Sequence, residues 1–179
     1  MSGRSLRDRV EAGRVRISHV LAVGAALATV GVVAPVAPAF VAGVSGTLAL
    51  AWGLAFRTRG AVVLAGTVLF GATLLTAIST GDATAALVGG FGAVLAADAG
   101  TFALGIERDA GPDVPTARVE LLHAVGSGAV AVLTAGVGYA LYRSVPSGTV
   151  PSVVALLFGA VVLALALGST ARSSIQQSS

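Results

Sequence analysis

Charge vanishes from this chain in stretches of one characteristic length. Six runs, 17–34, 36–56, 61–79, 84–106, 119–142 and 152–171, are almost wholly apolar. An α-helix rises 1.5 Å per residue, so about 20 apolar residues cross a ~30 Å hydrocarbon core. Each run has that length. They read as helices, not barrel strands, because barrel strands alternate apolar and polar residues over about ten positions. Breakers separate them: Pro35 and Pro38, then Arg57 to Gly60, then Gly81-Asp82, then a 107–118 loop with Gly111-Pro112, then 143–151.

Composition agrees. Only 11% of the 179 residues are charged, against about 25% in soluble domains, and mean hydropathy is +0.92. That leaves too little polar surface for a water-soluble globule and far too much apolar residue for a disordered chain. The expected fold is therefore all-α, an integral membrane bundle of six transmembrane helices over 17–171. A basic segment, 1–16, precedes it and a Ser/Gln-rich disordered tail, 172–179, follows.

Arginine sets the orientation. The chain has eleven Arg and no Lys. With both termini cytoplasmic, Arg143 alone falls outside and the other ten inside, the bias that cytoplasmic loops show. The same distribution removes nucleic acid as a partner: the net charge of +3 is spent on flanking apolar runs. Residues 1–39 also have the form of a signal peptide, with Ala37-Pro38-Ala39 as its cleavage motif. An apolar run begins again at Phe40, which favours a retained first helix.

Few residues carry chemistry. There is no Cys, and the two His lie far apart in sequence, so no metal motif forms and no cofactor is expected. Asp98 is the clear intramembrane ionisable residue, about 12 Å from the inner end of its span. Such a group must face the bundle and be protonated or paired. In the next span Glu120, His123, Ser127 and Thr134 share a helical face. With Arg118 at the inner boundary and His19 at a similar level, the expectation is one inner-leaflet polar cluster: Asp98, His123, Glu120, Arg118 and His19. Two readings stay open, interhelical hydrogen bonding and a proton relay or cation site.

Gly43-Val44-Ser45-Gly46 plus a His on another helix resembles the rhomboid intramembrane proteases. Rhomboid Ser and His lie on helices that run the same way. Here Ser45 and His123 lie on oppositely directed spans, about 10 Å apart in depth, while a dyad needs ~3 Å contact. The expected role of Gly43, Thr47 and Ala51 is close helix packing. Gly89-Gly90-Phe91-Gly92 lies inside a span and is no phosphate loop.

Ala97-Asp98-Ala99-Gly100 and Thr116-Ala117-Arg118-Val119-Glu120-Leu121-Leu122-His123-Ala124 resemble an uncharacterised family of haloarchaeal multi-pass membrane proteins. The similarity is strongest over 84–142. Members tend to be encoded near MoxR-type AAA ATPases and their von Willebrand-type partner proteins. The resemblance implies a cell-membrane location and a role beside that ATPase system, with no reaction and no site residues.

The expected function is that of a non-enzymatic membrane anchor or assembly component of a larger complex. Its handle would be the inner face: 1–16, Arg57-Thr58-Arg59 and the 107–118 loop. The alternative is a small transporter or proton-coupled permease built on Asp98 and His123. Partners are the lipid bilayer, other membrane proteins or the MoxR-type system, and an oligomer is compatible with the sequence.

Overall fold

A computed structural model of the protein describes residues 17–110 and 116–144. The basic segment 1–16, the sixth span 152–171 and the tail 172–179 lie outside the described residues. All regular structure among the described residues is helical: α1 (Ile17–Val33), α2 (Ala37–Ala55), α3 (Arg59–Thr80), α4 (Ala83–Ala110) and α5 (Ala117–Ser144). Four of them are long and apolar enough to cross a membrane, within Ala37–Ala55, Arg59–Thr80, Ala83–Asp109 and Ala117–Ala140. Helix α1 is apolar but has 17 residues, about 25 Å at 1.5 Å per residue.

The breakers act as expected. Pro38 sits in the first turn of α2, where a missing N–H costs nothing. Gly81 ends α3 at φ 69°, its N–H donating to the Ala77 carbonyl at 2.8 Å. Glycine reaches this left-handed conformation without a side-chain penalty. Asp82 then caps α4, with Oδ1 accepting the Thr84 N–H at 2.8 Å. The end of α2 breaks this pattern. Thr58 N–H donates to the Gly53 carbonyl at 2.9 Å and Arg57 N–H to the Leu54 carbonyl at 3.4 Å, the bonding of a Schellman turn. The left-handed position, at φ 55°, is held by Arg57 and not by glycine, at a cost of about 1 kcal/mol or more.

One boundary moves. The loop expected at 107–118 is shorter, because α4 continues to Ala110 and α5 starts at Ala117. The apolar run marks where lipid ends, whereas the helix runs on through Glu107, Arg108 and Asp109 to Ala110. Glu107 is therefore a helical residue with a fixed direction.

The chain divides into two compact units, Met1–Ala131 and Val132–Ser179. In the first, α1 packs chiefly on α4, α2 on α3 and α3 on α4, with α1 also touching α2; the diagonal pairs meet least. Short connectors make successive helices antiparallel. The core consists of Ala22, Ala26, Leu50, Val62, Ala65, Leu69, Ala96 and Ala99, all buried. Glycines let the backbones approach. A Cβ on Gly66 would lie 2.5 Å from the Ala97 Cβ, and one on Gly92 would collide with the Thr29 hydroxyl. The small-residue face of α2 differs from the expected one. Gly43 packs inward with Gly46, Leu50 and Gly53, while Thr47 is half-buried and Ala51 exposed. A spacing of four drifts off the stripe because four residues overshoot one 3.6-residue turn.

Of the second unit, the structure describes 132–144 as the remainder of α5, and those of its side chains that are described are mostly exposed.

Candidate functional site

Asp98 projects from the middle of α4 and meets His123 of α5. Asp98 Oδ2 lies 2.9 Å from His123 Nε2, and the two side chains are 28% and 30% exposed. Phe102, one turn beyond Asp98, stacks on the imidazole with ring centroids 3.6 Å apart and planes 8° off parallel. The ring supplies an apolar wall that fixes the imidazole's orientation. Ser127, one turn beyond His123, brings Oγ to 3.4 Å from the same Nε2.

That shared nitrogen decides part of the chemistry. A hydrolase triad uses both imidazole nitrogens, one for the nucleophile and one for the orienting carboxylate. Here carboxylate and hydroxyl converge on Nε2, which serves one of them at a time, so the arrangement is not that of a nucleophile with its base. The Ser45 hydroxyl donates to the Val41 carbonyl of its own helix at 2.8 Å.

Glu120 does not join Asp98. It is 3% exposed and turns to the start of α1. Its Oε2 accepts the Ser18 N–H at 2.9 Å and the Ser18 hydroxyl at 2.9 Å, and its Oε1 accepts the Thr116 hydroxyl at 2.5 Å. The first N–H groups of a helix have no partner within it, and they sit at its positive end. A carboxylate from α5 thus caps α1 from outside the helix.

His19 takes a third direction. Its Nε2 lies 3.7 Å from Glu107 Oε1, and Arg57 Nε lies 3.1 Å from Glu107 Oε2. Among the described residues, the buried His19 Nδ1 has no hydrogen-bond partner. Arg118 is exposed and, among the described residues, makes no ion pair.

The five residues expected as one cluster therefore occupy three separate contacts plus a free Arg118. Helix geometry explains the division. Asp98 and Glu107 are nine residues apart, and at about 100° per residue that is half a turn out of phase. One faces α5, the other α1 and the α2–α3 turn. Ser18 and His19 are neighbours and diverge by the same rule. Glu107, Arg57, Ser18, Thr116 and Phe102 complete these contacts, and none of them belongs to the expected polar cluster. Phe102 had a readable signal, four residues after Asp98. Glu107 lies beyond the apolar run, where the sequence reads as loop and defines no helical face.

The interior hydroxyls close on themselves. Thr29 donates to the Ala25 carbonyl at 2.9 Å, Thr73 to Leu69 at 3.0 Å and Thr76 to Ala72 at 3.0 Å. This back-bonding satisfies each hydroxyl within its own helix. Among the described residues no group of three or more His, Asp or Glu is placed to hold a metal ion.

Comparison with known proteins adds one assignment. Neither the curated proteins nor the solved structures contain a match. The model of a family of unknown function, DUF7519, matches residues 14–164. A match over most of the chain identifies it: this protein belongs to the family of unknown function DUF7519.

Proposed function

We propose that this protein is a six-span, multi-pass protein of the cell membrane, with both termini cytoplasmic, acting as a non-enzymatic anchor or assembly component of a larger complex. The observation that supports a scaffold over a carrier is the state of the interior hydroxyls. Thr29, Thr73 and Thr76 each bond back to their own helix, and the glycine contacts around them are tight. Among the described residues, such an interior offers no chain of free polar groups from one face to the other. On this reading the polar contacts are joints. They tie α1 and α4 to α5, and the α2–α3 turn to α4. The partner to seek first is the class suggested by the sequence resemblance, a MoxR-type AAA ATPase system. Copurification from native membrane in mild detergent tests this. A stoichiometric protein partner is expected; the chain running alone, with nothing crosslinked from Arg108 or Asp113, contradicts it.

A second reading has one observation in its favour. Asp98 and His123 form an ionisable pair in a membrane-length helix pair and keep about a third of their surface exposed. Intramembrane carboxylates and imidazoles of this kind serve proton relays. A solvent-filled path to Asp98, detected by carboxyl labelling from the aqueous phase, would favour a proton-coupled permease.

A further inference from the structure

We propose that the α2–α3 turn is a docking site for an anionic phospholipid, with Arg57 and Arg59 on its phosphate and the Trp52–Phe56 pair against its glycerol and upper acyl chains. The proposal rests on the membrane reading given above.

Arg57 is a fixed cation. Its backbone is locked in the turn that ends α2, and Glu107 holds its side chain through Nε at 3.1 Å. Glu107 is itself only 16% exposed and lies against His19. Glu107 engages Nε and not the two terminal amino groups of the guanidinium, and 68% of the Arg57 side chain is exposed. Those two groups form the fork that binds two phosphate oxygens at once. An arginine already oriented loses less freedom on binding than one that swings.

The surroundings match one kind of ligand. Arg59 is exposed two residues further on. Trp52 and Phe56 are 62% and 59% exposed, yet their rings lie together with centroids 4.1 Å apart. Tryptophan at a helix end beside arginine is the pairing found at the headgroup level of a bilayer, where one part of the ligand is charged and the next is apolar. From residue 37 to residue 81 the chain has no Asp or Glu. The one carboxylate seen against Arg57 is Glu107, already engaged. Arg118 is the internal contrast: also exposed, but with no ion pair among the described residues to orient it and no aromatic residue from 116 to 122.

The test is titration of the full-length protein in detergent micelles with phosphatidylglycerol or phosphatidylcholine, read by native mass spectrometry. The parent protein is expected to retain phosphatidylglycerol in preference. Arg57→Gln should weaken that binding about fivefold, Trp52→Ala should weaken it as well, and Arg118→Gln should leave it unchanged. Arg57→Gly guards against a folding defect, since glycine relieves the left-handed backbone while removing the guanidinium; it must lose the lipid too. Equal losses for Arg57→Gln and Arg118→Gln would reduce the effect to diffuse charge and overturn the proposal. So would equal binding of phosphatidylcholine, inorganic phosphate retained as firmly as the lipid, or a protein in place of lipid crosslinked at position 57 in native membrane. A chain that stays monodisperse without detergent would sink the membrane reading itself, whereas lost lipid preference in a detergent-requiring chain sinks this site alone.

Discussion

The α1–α4 bundle and the first half of α5 are held in different ways. The four helices meet through residues with almost no side chain: Gly66 on Ala97, Gly92 on Thr29, Gly89 on Thr73. After Glu120, no α5 residue up to Ala131 is buried, and α5 is joined through Glu120 and His123. In lipid the two modes follow from one cause. Apolar side chains gain little by leaving hydrocarbon for protein, so helices associate by close backbone packing or by hydrogen bonds unavailable from lipid. Among the described residues, the bundle uses the first and the start of α5, through Glu120 and His123, the second.

Substitutions can separate these modes, and the largest effects belong to the bundle. Gly66→Leu should destabilise it by about 3 kcal/mol, since overpacking a tight crossing displaces a backbone; thermal unfolding in detergent measures this. A neutral result would mean that α3 and α4 are not in contact there. Next comes the cap on α1. Glu120→Ala leaves the buried Ser18 N–H unsatisfied, at about 1–3 kcal/mol, while Glu120→Gln, which keeps an acceptor, should cost less. Hydrogen exchange at the start of α1 should accelerate in the alanine variant and much less elsewhere. If exchange rises uniformly, Glu120 is not a local joint.

The α4–α5 contact should be weaker. A double-mutant cycle of Asp98→Ala and His123→Ala is expected to give a coupling of about 0.6 kcal/mol and no more than ~1.7, the range for hydrogen bonds between membrane helices. The smallest effects are predicted for Gly71→Ala and Gly126→Ala, where an added Cβ meets nothing within 4 Å among the described residues. These should be neutral or stabilising by at most about 1 kcal/mol, from lower backbone entropy in the unfolded chain. A clear loss at Gly126 would reveal close packing on α5.

Much of the helical layout was legible because length and apolarity alone decide it. The α1–α4 starts and stops fall within a few residues of the apolar runs, and Gly81-Asp82 functions as the stop-and-cap pair it spells. The pairing of polar residues was less legible. Depth along a helix can be counted from sequence, and depth put Asp98, His123, Glu120 and His19 together. Rotation about the helix axis separates them, and rotation depends on where each helix faces its neighbours. Glu107 shows the limit well: once read as loop, it could not be assigned the face that carries it to Arg57 and His19. The packing stripe on α2 failed for the same reason, with Gly53 buried where Ala51 was expected.

On the proposed scaffold reading, Asp98 and His123 join helices and do not conduct protons. Proton flux into liposomes carrying the purified protein, with an imposed pH gradient and an ionophore to clamp the potential, tests it directly. The parent protein is expected to leak no faster than empty liposomes, and Asp98→Asn to change nothing. Flux in the parent that disappears in Asp98→Asn would contradict that reading.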